Sequence, residues 1–135
     1  MSLFNKIFGD SDNKDKQEMH IRWKSLTEVK QLEQLLTDSF EKPVFIFKHS
    51  TRCSISRMAL RQFETHYHLG PEEADGYYLD LLEHRMVSDA VAARLEITHQ
   101  SPQLILIRDG KCVFTESHGE IDAEDLEKRI HHKPA

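Results

Sequence analysis

Apolar and polar residues change period several times along this chain, and each change marks an element. In "SLTEVKQLEQLLTDSF" the apolar residues recur at helical spacing, with Leu26, Val29, Leu32, Leu35 and Leu36 on one face. Ser25 or Thr27 is the expected N-cap, because a hydroxyl there accepts from an unpaired backbone N–H. After Pro43 the pattern becomes a continuous run, "PVFIFKHS", rich in β-branched and aromatic residues. A run without alternation suits a strand buried on both faces, central in a parallel or mixed sheet. From Cys53 the helical period returns and predicts Ile55, Met58, Ala59, Phe63 and Tyr67 on the inner face.

The alternation of types continues downstream. "GYYLDLLE" reads as a strand and "HRMVSDAVAARLEI" as a helix with Val87, Ala90, Val91 and Leu95 inward. "SPQLILIRDGKCVFTES" gives two short strands joined by Asp109-Gly110, a dipeptide that accepts positive φ and so favours a two-residue hairpin. "IDAEDLEKRIHH" closes as a helix, with Asp122 as N-cap and further acids in the first turn. Adding a short strand from "IRWKSL", the order is β-α-β-α-β-α-β-β-α, an α/β domain with a mixed sheet and a terminal hairpin. "GDSDNKDKQEMH" is polar throughout, so residues 1–20 are expected to be a flexible extension and 21–135 the folded domain. Leu3, Phe4, Ile7 and Phe8 span only one helical turn, too little to hold alone in water.

Bulk properties narrow the classes. The 135 residues, 39% hydrophobic and 30% charged, fit one soluble domain around one core. No stretch is long and apolar enough for a spanning helix, and the N-terminus lacks a signal-peptide pattern, so a cytoplasmic location is expected. A net charge of −5 argues against nucleic acid or an anionic membrane as partner. The two cysteines, Cys53 and Cys112, are too few for a disulfide framework. His66 with His68, and His131 with His132, make no four-ligand set with them, so no bound metal is expected.

Candidate chemistry concentrates in "FKHSTRCSIS". Cys53 falls where a buried strand feeds a helix, a junction at the sheet edge where sites gather. Unpaired N–H groups and the positive dipole end of that helix favour a thiolate over a thiol, and Arg52 and Lys48 add positive charge. Ser56 stands one turn on, where a dithiol site would carry its second sulfur. Its hydroxyl, or that of Ser54, is expected to donate to the Cys53 sulfur. Such a site forms a mixed disulfide but has no neighbouring sulfur to resolve it. Cys112 follows the Asp109-Gly110 turn, roughly 23 Å along the hairpin from Pro102 at about 3.3 Å per residue. A disulfide needs Cα atoms within roughly 7 Å, so Cys112 is read as a strand residue.

A strand, C-x-x-S at a helix start and a later "THQSPQLILIRDGK" together resemble the thioredoxin fold, in which a cis-proline faces the active cysteine. Pro102 matches that proline. The closer resemblance, from about residue 20 onward, is to the monothiol bacilliredoxin family. It is carried by "FKHSTRCSIS", "RLEITHQSPQLILIRDGKCVF" and "SHGEIDAEDLEKRI". One departure is Ser54, where the family usually has proline after the cysteine, and Arg52 precedes it. The resemblance implies a glutaredoxin-like protein that removes bacillithiol from S-bacillithiolated proteins through Cys53. Bacillithiol would be a co-substrate, and no cofactor would be bound. It also implies Ser101 and Pro102 as neighbours of the bacillithiol cysteinyl group, and Ser117, His118 and Gly119 near its malate, with the carboxylates at the last helix's N-terminus.

Other classes are weaker. A low-molecular-weight phosphatase or arsenate reductase needs an arginine six residues after the nucleophile, and position 59 is Ala. An iron–sulfur monothiol glutaredoxin usually carries C-G-F-S, against C-S-I-S here. A non-catalytic thiol sensor that binds a partner through the same surface is the remaining alternative.

Overall fold

The computed structural model describes residues 21–132, so the expectation of a flexible segment at residues 1–20 lies outside the described residues. Among the described residues, nine strands and helices follow the predicted order: β1 (Lys24–Ser25), α1 (Val29–Asp38), β2 (Val44–His49), α2 (Ser54–Thr65), β3 (Asp75–Asp80), α3 (Arg85–Leu95), β4 (Gln103–Arg108), β5 (Lys111–Ser117) and α4 (Ala123–His131). A 3₁₀ turn, His118–Glu120, joins the last two. The sheet order is β1-β3-β2-β4-β5, with β1, β3 and β2 parallel and the β4–β5 hairpin antiparallel.

Strand β2 is central, and all six of its residues are buried, as its unbroken apolar pattern requires. Its side chains alternate between two cores. Val44 and Ile46 pack under α1 and α3 with Leu32, Leu35, Leu36, Val87, Val91 and Leu95. Phe45 and Phe47 pack under α2 and α4 with Phe63, Tyr67, Leu126 and Ile130. Rings dominate the second core: Phe47 lies 5.4 Å from Phe63, Phe45 5.4 Å from Tyr67, and Trp23 5.8 Å from Phe45, centroid to centroid. Each such pair contributes about 0.5–1.5 kcal/mol beyond its burial, which seats α2 firmly on the sheet. The Asp109-Gly110 turn has φ of +53° and +79°, the paired positive values of the expected hairpin.

Three local expectations are corrected. The N-cap of α1 is Glu28, which forms a capping box with Gln31; Gln31 Oε1 accepts from the N–H groups of Thr27 and Glu28, so neither Ser25 nor Thr27 is needed. Val29 consequently starts the helix half exposed. On α2 the inner face is Ser56, Ala59, Leu60 and Phe63, with Tyr67 buried just past the helix end, leaving Ile55 and Met58 62% and 63% exposed. The reason is polar: Ser56 takes the inward position because it bonds to a buried group on β2. That rotates its apolar neighbours out.

Gly76 on β3 pairs with Phe45, and a Cβ there would stand 2.6 Å from the Phe45 ring. Gly76→Ala should therefore destabilise the domain by about 1–3 kcal/mol through overpacking. Urea denaturation checks this, and an unchanged midpoint would show that the aromatic core yields freely.

Candidate active site

Strand β2 ends at His49, and the chain turns through Ser50, Thr51 and Arg52 into α2. The Cys53 N–H donates to the Ser50 carbonyl at 3.1 Å, closing that turn, and the Cys53 carbonyl accepts the Arg57 N–H at 3.0 Å, opening the helix. Cys53 is thus the N-cap, with extended backbone (φ −103°, ψ 121°) and a half-buried free thiol. The first turn of α2 holds no acidic residue to oppose a negative sulfur. Ser54 is exposed beside it. Arg52 is exposed too, and shares a shallow cleft with Thr51, Asp80, Leu82 and Glu83.

Two expected thiolate partners are committed elsewhere. Lys48 lies on the face of β2 opposite α2. Its Nζ is 3.0 Å from His99 Nδ1 and donates to the Ser88 carbonyl at 3.4 Å. Burial, partly opposed by Asp89, lowers its pKa to about 8. The alternation of side chains along β2 separates it from the Cys53 side. Ser56 is fully buried, with Oγ 2.8 Å from His49 Nδ1 and accepting from the Ser50 N–H at 3.0 Å. The hydroxyl expected to serve the sulfur belongs instead to a buried imidazole. Burial lowers the His49 pKa against the pull of Asp80. His49 was legible in principle, since it follows Phe45 and Phe47 at period two and so points at α2.

The loop before β4 reaches the same end of the sheet. Lys48 pairs with Gln103, so Pro102 is level with His49, and the Ser101–Pro102 bond is cis, as the sequence predicts. Gln103 fastens the loop by donating to the Thr98 carbonyl and accepting from the Gln100 N–H. Ser117 pairs with Gln103 from β5, and the His118 N–H donates to the Pro102 carbonyl at 3.0 Å. His118 has φ of +54° and an exposed side chain, and a Cβ on Gly119 beside it would meet nothing within 4 Å. Ser101, Pro102, Ser117 and His118 therefore do converge near the β2–α2 corner.

The N-terminus of α4 does not suit the carboxylates expected there. Asp122 caps it, accepting the Glu124 N–H at 2.9 Å, and Glu116 accepts the Asp122 N–H at 3.0 Å. Asp125 lies against Glu116, and burial together with that contact raises the Glu116 pKa to about 8. The protein's own acids fill the seat, and a further anion would meet repulsion.

Cys112 pairs with Ile107, which pairs with Val44 at the start of β2, while Cys53 lies beyond its end. The five steps of β2 alone amount to about 17 Å, far outside disulfide reach. Cys112 packs on the α1/α3 core, and burial raises its thiol pKa. Among the described residues no three His, Cys, Asp or Glu side chains are grouped to hold a metal, and no helix is long and apolar enough to cross a membrane.

Residues 24–126 match the family model described as monothiol bacilliredoxin BrxC. The chain belongs to the monothiol bacilliredoxin family. Among solved structures it is similar to a protein assigned as an oxidoreductase with a thioredoxin fold, at 32% identity and TM-score 0.69, covering 86% of this chain and 96% of that one. Thioredoxin of Malassezia sympodialis (19% identity, TM-score 0.62, 82% and 89% covered) and of Fasciola hepatica (20%, 0.60, 80% and 96%) shows the same fold. Family and fold together support a thiol-redox function for this chain.

The Glu116 pKa carries a sign. Its folded value, about 8, exceeds the unfolded one, so the proton bound in the folded state stabilises at low pH, and that contribution is lost as pH rises through 8. Wild type should lose melting temperature between about pH 5 and about pH 8 relative to Glu116→Gln, whose side chain stays neutral. Parallel melting temperatures across that range would contradict the raised Glu116 pKa.

Proposed function

We propose that this protein removes bacillithiol from mixed disulfides on oxidised proteins, with Cys53 as the attacking sulfur. The observation that carries the reading is a single thiol at the amino end of α2, with a buried serine one turn on and the other cysteine well beyond reach. A site of this kind exchanges disulfides without closing one of its own.

The steps balance as two thiol–disulfide exchanges. The Cys53 thiolate attacks the bacillithiol sulfur of the mixed disulfide; the new S–S bond joins Cys53 to bacillithiol, and the client sulfur leaves as a thiolate that takes a proton. A second bacillithiol thiolate then attacks the bacillithiol sulfur on Cys53. This releases oxidised bacillithiol and restores the Cys53 thiolate. Backbone groups of Ser101 beside Pro102 are assigned to the cysteinyl part of the ligand, and Ser117, His118 and Gly119 to its remainder. The convergence of those two segments through the His118–Pro102 bond supports this placement. The malate carboxylates are directed away from Asp122 and Asp125, whose charge disfavours them.

The test is release of bacillithiol from a bacillithiolated protein in the presence of excess bacillithiol. Cys53→Ala should reduce the rate to that of bacillithiol alone, and Cys112→Ser should retain most of it. Equal rates for wild type and Cys53→Ala would end the catalytic reading. One bacillithiol captured per Cys53 without further turnover would instead mark a thiol sensor.

A further inference from the structure

His49 is 3% exposed, at the end of β2, on the face that carries Phe45 and Phe47. Its Nδ1 lies 2.8 Å from Ser56 Oγ, and that oxygen accepts the Ser50 N–H at 3.0 Å. The Ser50 carbonyl in turn accepts the Cys53 N–H at 3.1 Å. A serine hydroxyl has one proton to donate. Burial holds the imidazole below the usual histidine range, which favours its neutral form, while Asp80 pulls the other way and Arg57 reinforces the effect. The Tyr78 ring packs against it at 5.5 Å. A neutral ring that faces Ser56 with an unprotonated Nδ1 accepts a hydrogen bond from the hydroxyl and carries its own hydrogen on Nε2. The serine oxygen is then left free to accept from Ser50.

The geometry points to His49 as the positioning residue for the nucleophile, acting on Cys53 through Ser56 and the Ser50–Cys53 turn. The imidazole sets the direction of the Ser56 hydroxyl, Ser56 holds the Ser50 amide, and the closed turn sets the N-cap backbone from which the sulfur projects. Without the imidazole, the hydroxyl proton turns to the Cys53 carbonyl one turn back, a usual type of partner for a serine in a helix. The oxygen swings with it and the Ser50 amide loses its acceptor. The serine in the second-sulfur position thus acts as a structural link between a buried base and the reactive corner.

This inference rests on Cys53 being the attacking sulfur, and its readout is independent of bacillithiol: the alkylation rate of Cys53 by iodoacetamide, measured in a Cys112→Ser background. His49→Leu and Ser56→Ala should each slow alkylation at neutral pH by about fivefold, the effect expected for loss of one hydrogen bond. His49→Asn, which offers an amide oxygen near the Nδ1 position, should recover the rate to within about twofold of the parent. A purely structural role for His49 would not be rescued by that smaller side chain. Parental rates in His49→Leu or Ser56→Ala overturn the inference, and so does His49→Asn as slow as a folded His49→Leu. Should His49→Leu fail to fold in a circular-dichroism melt, Ser56→Ala decides alone: a slowed rate sustains the inference and a parental rate ends it. No de-bacillithiolation by the parent protein alongside this alkylation pattern would refute the proposed function and leave the positioning role standing.

Discussion

Strand β2 is covered on both faces and hydrogen-bonded along both edges, and the positions of the site residues follow from that confinement. A strand with no solvent face has one register compatible with its neighbours, because a one-residue slip would exchange its two sets of side chains between cores. Its last residue is therefore a fixed point, and Cys53 stands four residues beyond it. The aromatic layer of Phe45, Phe47 and Phe63 then holds α2 against the same strand. Sulfur, helix terminus and sheet end are located by one packing arrangement.

The confinement also explains the polar residues at the end of β2. Lys48 and His49 are buried in consecutive positions, and a buried polar group without a partner is costly. Each finds partners on its own face. Lys48 meets His99 in the loop before Pro102, and His49 meets Ser56 on α2. The two side chains tie the strand to the two segments that flank Cys53. Satisfying their hydrogen bonds and assembling the site are the same event.

Charge is distributed unevenly around that assembly. Arg52 and Arg57 belong to the corner and first turns of α2, while Glu116, Asp122, Glu124 and Asp125 gather at the start of α4. The amino ends of the two helices therefore differ. One is left without acids beside a thiol, and the other is capped and crowded by carboxylates.

Much of the fold was legible because it rests on local periodicity. The unbroken apolar run of β2, the helical spacing of Leu32, Leu35 and Leu36, the Asp109-Gly110 turn and the Asp122 cap each depend on residues close in the chain. Cys53 at a strand–helix junction, with Ser56 in place of a second sulfur, was determined in the same way. What the sequence could not decide was direction and partnership. Lys48 lies five residues before Cys53 yet points to the opposite face, and the Ser56 hydroxyl is one helical turn from the sulfur yet belongs to His49. Glu116 and Asp125 are on different elements, and their closeness turns an apparent anion seat into an acidic one. These outcomes depend on which side chains packing brings within about 3 Å, and a hydrogen bond or shared proton exists only at that range.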